Sequence, residues 1–275
     1  MRKTVSEDVF IKGTGLHSGT SATIRLMPHD GGMTVRRRGQ EMSASWDNVR
    51  PSRLCTLLVS PDDPSFSLST TEHLMAALWG AGVTDVIIEV SGPEVPILDG
   101  SALPFLNAIL GAGVVELGED RQALVIDKPV FYRDGDAFTA LLPHDGFGAE
   151  FHIEFSHRMI SSQSFDMEGS SFADDLAPAR TFCMEADVRR MRASGLALGG
   201  TKENAVVFSD DGVITPGGLR FRDEPVRHKL LDALGDLHLA GVDIVGRFVG
   251  HKSGHLMTNM LLRAAFGKNK IAKRA

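Results

Sequence analysis

His228 and Asp232 stand four residues apart in RHKLLDALGDL (227–237). That spacing puts both on one face of a helix. An imidazole and a carboxylate so placed form a workable pair of ligands for Zn²⁺. Asp236 extends the same stripe, and Leu230, Leu231, Leu234 and Leu237 are expected to bury the opposite side. The competing reading is a solvated face with an incidental pair. Glu72 and His73 are adjacent, so on a helix they point about 100° apart and cannot chelate one ion as an i, i+4 pair does. One can bind a metal while the other reaches a water on it, and Glu is a natural general base for that water. Against this, Ser69 and Glu72 also fit a capping box, and His73 alone reads as a core histidine. His255, in KSGH (252–255), can serve as a general acid if a carboxylate such as Asp236 keeps it protonated. Gly254 before it permits close backbone approach. Its competing reading is a surface histidine at a helix start.

These residues need elements to hold them. TSATIRLMP (20–28) and MTVRRR (33–38) alternate apolar and polar positions and predict short antiparallel strands. STTEHLMAALWGAG (69–82) changes to helical spacing, TDVIIEV (84–90) reads as a strand, and SALPFLNAIL (101–110) as a helix. The second half repeats the order: strands in QALVIDKPVFYRD and GFGAEFHIEFSH, a helix from Glu224-Pro225, a strand over 242–250 and a helix over 253–266. The basic tail KNKIAKRA reads as frayed. Matching Ala81-Gly82-Val83 with Ala240-Gly241-Val242 sets an offset of 159 that puts His73 opposite Asp232; Ser101 and Asn107 match Ser253 and Asn259 at an offset of 152, the seven-residue difference being extra loop around PEVPILD in the first half. The chain is therefore expected to be α+β, with two pseudo-repeated domains, each a sheet layered with helices and with the active site at their interface. The expected division is 1–120 and 121–275, with GEDRQ as the linker. If the halves pack about a pseudo-twofold axis, His73 joins His228 and Asp232 as a third ligand. A fourth position is then open for water, as in a catalytic zinc site.

The 275 residues are 43% hydrophobic and 23% charged, which excludes disordered, collagenous and coiled-coil classes. A net charge of −6 argues against a nucleic-acid partner. Cys55 and Cys183 are too few for a disulfide scaffold and fit reduced thiols. The N-terminus shows no signal-peptide pattern and no apolar run is long enough to span a bilayer; peripheral membrane contact stays open. GTGLHSG (13–19) has one residue too many for a dinucleotide loop and precedes a strand pattern. P-loop and G-x-S-x-G motifs are absent.

The chain resembles the UDP-3-O-acyl-N-acetylglucosamine deacetylases, zinc amidases of lipid A biosynthesis. GTGLHSG (13–19), STTEHLMAAL (69–78), PEVPILDGSALPF (93–105), ARTF (179–182), GLALGG (195–200), RHKLLDALGDL (227–237) and KSGH (252–255) carry the resemblance, in family order over nearly the whole chain. The resemblance implies one Zn²⁺ per chain on His73, His228 and Asp232, with Glu72 as base and His255 as acid oriented by Asp236. Thr181 would polarise the scissile carbonyl and Lys229 would contact substrate near that carbonyl or the diphosphate. Phe182 and Gly254 would line the site, with His17 and Phe155 on the nucleotide side. Val188, Met191 and Leu198, in an insert after Phe182, would line the passage for the acyl chain. Lys229, Lys252, Lys202 and Arg180 are the cations nearest these motifs for a diphosphate. The implied substrate is a small-molecule UDP-acylglucosamine and the implied location is the cytoplasm. HLMTNMLL after the motif histidine departs from the family's usual H-A-L-N-N, making Leu256 bulky, and Thr84-Asp85 replaces Asp-Asn. Two other readings stand beside this one: a zinc amidase for a related sugar amide, and a non-catalytic binder of nucleotide sugar or acyl chain.

Overall fold

A computed structural model describes residues 1–52, 54–268 and 271–273. Its frame is two sheets that share one five-strand topology, the second extended to seven strands by Gln122–Val125 and Ile271–Lys273. In the first, β1 (Val9–Thr14), β2 (Ser21–Pro28), β3 (Met33–Arg37), β4 (Gln40–Ser43) and β5 (Val86–Val90) lie in the spatial order β1-β2-β5-β3-β4. In the second, β6 (Val130–Asp134), β7 (Ala137–Leu142), β8 (Phe147–Glu154), β9 (Ser162–Asp166) and β10 (Asp243–His251) lie in the order β6-β7-β10-β8-β9. The central strand of each is antiparallel to one neighbour and parallel to the other: Ile24 faces Val90 and Val35 faces Ile88, as Ala140 faces Val249 and Ala149 faces Phe248.

Alternation decides which face each sheet buries. On β2 the side chains of Ala22, Ile24 and Leu26 are buried while Thr23 and Arg25 are partly exposed, as a half-buried strand of period two requires. Helices α1 (Glu72–Gly80) and α2 (Leu103–Ala112) belong to the first half, and α4 (Glu224–His238) and α5 (His255–Lys268) to the second. The helix α3 (Glu185–Ala193) lies in the insert, beside a small sheet formed by 182–184, 206–209 and 212–213. The first half has its own small sheet, from Val49–Arg50, Leu57–Val59 and Ser67–Leu68. The sequence reading missed α3, β7, β9 and both small sheets, whose short strands show little periodicity.

α1 and α4 pack against each other between the two cores. A side chain at Gly235 would put its Cβ 2.1 Å from the Glu72 carbonyl oxygen, so the helices cross with backbone against backbone. Leu231 enters the first core, while Leu230, Leu234 and Leu237 enter the second. The leucines therefore do not bury one side opposite a solvated stripe. Asp232 and Asp236 are also buried, at 5% and 4% exposure, which removes the solvated-face reading.

Three local expectations change. The capping box does not form: Thr71 precedes α1 and makes no side-chain cap, Ser69 bonds the Pro93 carbonyl, and Glu72 points elsewhere. Thr70, with φ of 58°, turns the chain sharply there, so Ser69 lies outside the helix and pairs in a bridge with Glu94. The tail is not frayed throughout, because Ile271–Lys273 pairs antiparallel with Gln122–Val125; the rest of the tail past Lys268 lies outside the described residues. Gly254 does not approach other backbone: a Cβ there would meet nothing within 4 Å. Thr84-Asp85 instead secures the N-terminus, with Thr84 accepting from the Lys3 amide at 2.8 Å and Asp85 paired with Arg2. No helix among the described residues is long and apolar enough to cross a membrane.

Candidate metal centre

The helix crossing brings His73 to His228 and Asp232. His73 Nε2 lies 3.5 Å and His228 Nε2 3.3 Å from Asp232 Oδ1, and the two imidazoles meet edge to face at 4.9 Å. One ligand atom from each residue falls within 4.8 Å of the others. Asp232 Oδ1 is buried and has no hydrogen-bond partner among the described residues. Burying a carboxylate oxygen with nothing to receive it is costly, and a cation held jointly with two imidazoles removes that cost. Its Oδ2 accepts from Lys229 Nζ at 2.9 Å. Although burial opposes the charge, His228 and Lys229 hold the Asp232 carboxyl well below the usual carboxylate range.

His228 is prepared as a ligand. Its Nδ1–H donates to the Ala179 carbonyl at 3.0 Å, which directs the Nε2 lone pair toward Asp232. Burial pushes its pKa down to about 4 despite the nearby carboxylate, so the ring is neutral at pH 7. Two imidazoles and one carboxylate are a donor set suited to a divalent metal, with the Ala179 carbonyl fixing one imidazole from behind.

Glu72 and His255 flank this group. Glu72 is buried, and Oε2 accepts from the Thr56 amide at 3.0 Å. Burial raises its carboxyl above the usual range, against the pull of His255 and His73. His255 Nε2 lies 3.8 Å from Glu72 Oε1, and His255 Nδ1 donates to Asp236 Oδ2 at 2.8 Å. Burial works against its charge, but Asp236 and Glu72 overcome this and raise it to about 9. Thr56 Oγ1 donates to the other oxygen of Asp236. Thr56 therefore touches both Glu72 and Asp236, the carboxylate that orients His255. Nothing in RLCTLL marks it, since a threonine just before a strand is ordinary.

The other expected site residues fall into two groups. Thr181 is held by its backbone, donating to the Gly100 carbonyl and accepting from the Val206 amide, each at 2.7 Å. Phe182 packs edge to face on Phe155 at 5.5 Å. The GTGLHSG and GLALGG loops touch, through Leu198 N–H to the His17 carbonyl and Gly199 N–H to the Leu16 carbonyl. Glu94 holds the His17 loop by accepting from the amides of His17 and Ser18. Both His17 ring nitrogens are buried without a partner among the described residues, and burial lowers its pKa. Val188 and Met191 are half-buried, while Leu198 is 56% exposed. Arg180 is not available to a diphosphate: it is buried and paired with Glu224. Lys252 is engaged by Asp136 and Glu154.

A profile of the UDP-3-O-acyl N-acetylglycosamine deacetylase (LpxC) family matches residues 2–266. The chain belongs to that family. Named deacetylases of the family resemble it over most of their length. The UDP-3-O-acyl-N-acetylglucosamine deacetylase of Shewanella frigidimarina is 43% identical over 96% of this chain and 89% of its own. The corresponding proteins of Shewanella piezotolerans and Histophilus somni are 42% and 40% identical over the same shares. Family membership agrees with the α+β arrangement of two repeated sheets. His73, His228 and Asp232 form a group able to hold a metal ion.

Proposed function

We propose that this chain hydrolyses the N-acetyl amide of UDP-3-O-acyl-N-acetylglucosamine in lipid A biosynthesis, releasing acetate, with one zinc held by His73, His228 and Asp232. The orphaned Asp232 oxygen between two histidines carries this reading, and the names of the relatives supply the substrate. Zinc bound there supplies Lewis acidity that activates water near neutral pH and polarises the amide carbonyl.

The chain's own residues supply the rest. Glu72, with a raised pKa, takes a proton from the attacking water. His255, charged at neutral pH through Asp236, gives a proton to the departing amine. Thr181, fixed by Gly100 and Val206, stabilises the oxygen that gains charge. Lys229 steadies Asp232 and contributes positive charge near the carbonyl or diphosphate. Phe182 and Phe155 pack together beside the sugar and nucleotide, with His17 and Gly254 as further lining. Val188, Met191 and Leu198 line the route for the acyl chain. Two domains, 1–120 and 121–275, fit this site, since Val114–Glu116 closes on Lys3–Val5 while Gln122–Val125 joins the second sheet. Cytoplasmic location follows from the nucleotide-sugar substrate.

The test is zinc per chain together with acetate release from substrates with and without the 3-O-acyl group. One zinc and release from the acylated substrate are expected. Substoichiometric metal with no rescue by added zinc defeats the reading, and equal turnover of both substrates redirects it to a related sugar amide.

A further inference from the structure

Residues 177–181 form a short strap between the two halves, and its backbone groups are bound on both sides. The Ala177 carbonyl accepts from the amides of Ala102 and Leu103, and the Thr181 amide donates to Gly100. Gly100 must be glycine, because its φ is +86° and a Cβ there would sit 2.2 Å from the Asn204 carbonyl oxygen. On the other side stands Glu224, the first residue of α4 and fully buried. Its Oε1 accepts from the Arg180 amide at 3.0 Å and from Arg180 Nε at 2.9 Å. Its Oε2 accepts from Arg180 Nη2 at 3.2 Å and from the Arg220 amide at 2.7 Å. Arg180 Nη2 also donates to the Gly218 carbonyl, and Arg220 reaches Pro178 and Asp99.

Glu224 lies one helical turn before His228, on the same face of α4. Between them, over the strap, lies Ala179, whose carbonyl receives the His228 Nδ1–H. We propose that Glu224 is a positioning residue of the metal centre, acting through Arg180 and the Ala179 carbonyl on His228. A fully desolvated ion pair contributes little net stability relative to an apolar pair of the same shape, so its presence is better explained by what it fixes. The strap carries the carbonyl that sets the His228 tautomer and, two residues on, Thr181. Loosening it lets the ring turn. Partners behind a metal-bound histidine typically weaken metal affinity or activity by about tenfold to a hundredfold when removed.

The inference rests on the zinc reading above, and measuring the wild-type protein first separates the two: failure of the wild type to bind zinc would defeat that reading instead. Zinc affinity is then measured by chelator competition on folded Glu224→Gln and Arg180→Lys proteins. The visible spectrum of the cobalt-substituted forms and the unfolding temperature of the metal-free forms are recorded alongside. Zinc affinity should fall by about tenfold to a hundredfold in Glu224→Gln and less in Arg180→Lys. The cobalt spectrum should shift, and kcat should fall more than KM rises. A scaffold role alone predicts a lower unfolding temperature with wild-type zinc affinity and an unchanged cobalt spectrum, and that result overturns the proposal. If Glu224→Gln does not fold, Arg180→Lys decides by the same two readouts.

Discussion

The two halves share one sheet topology, yet they contribute different chemistry at their meeting point. α1 brings Glu72 and His73, while α4 brings His228, Asp232 and Asp236. His73 and Asp232, at matching places in the repeat, approach to 3.5 Å. Elsewhere the match breaks down: Glu72, the proposed base, belongs to the first half, and His255, the proposed acid, belongs with Asp236 to the second. A repeated frame sets where the groups meet, and local substitutions set what each one does. The halves also differ in what they add. The segment leading into the small sheet of the first half supplies Thr56 to hold Glu72 and Asp236. The second half adds the strap over 177–181 and, in the insert after it, α3.

The sharpest way to break this division of labour is Glu72→Gln. The variant keeps the shape but cannot accept a proton, so kcat should fall by about a hundredfold to ten-thousandfold. Metal analysis should still find zinc, because His73, His228 and Asp232 are untouched. Unchanged turnover would remove Glu72 as the base. Asp236→Asn tests the other half. His255 owes its rise to about 9 largely to Asp236 and Glu72, so the variant should bring the alkaline limb of the pH–kcat profile down toward the ordinary value near 6.5. If the whole rise were lost, the protonated fraction at pH 8 would drop by roughly thirtyfold. The stability effect has a definite sign. A histidine whose folded pKa is raised from 6.5 to about 9 stabilises fully below pH 6.5, and that contribution is lost as pH rises through 9. Urea unfolding of the metal-free protein should therefore show less dependence on pH between those values in the variant. Gly235→Ala, next in size, tests the crossing itself. A Cβ 2.1 Å from the Glu72 carbonyl forces α1 and α4 apart. Overpacking of this kind costs about 1–3 kcal/mol, and zinc affinity should fall with stability because the ligands stand on both helices.

Much of this comparison was legible in the residues alone. Helical spacing places His228 with Asp232, and the repeat places His73 opposite Asp232; neither depends on knowing the loops. The helices at 224–238 and 255–268 were visible as periodic runs with Pro225 near one start. The capping-box reading of Ser69 and Glu72 failed because a left-handed residue at Thr70 takes Ser69 out of the helix. Thr56 and the Ala179 carbonyl were invisible for a different reason. A backbone carbonyl has no sequence signature, and Thr56 acts through contacts across the fold to Glu72 and Asp236. Arg180 was misjudged as a phosphate cation because sequence shows charge but not burial, and its partner Glu224 is 44 residues away.

The smallest expected effect bears on the part the first half lacks. α3 has no fully buried residue, and Leu198 beside it is 56% exposed. Such a side chain adds little to the fold, so Leu198→Ala should change stability by no more than about 0.5 kcal/mol. If it covers an acyl chain, the cost should appear only with a substrate that has one. Each CH₂ it no longer shields is worth about 0.8 kcal/mol, or about fourfold in KM. The comparison is therefore between two substrates on two proteins: KM should rise for a long 3-O-acyl chain and stay unchanged for a short one, with kcat constant for both. An equal rise for both substrates would place Leu198 against the sugar or nucleotide, where its contact with the His17 loop would then be the feature that matters.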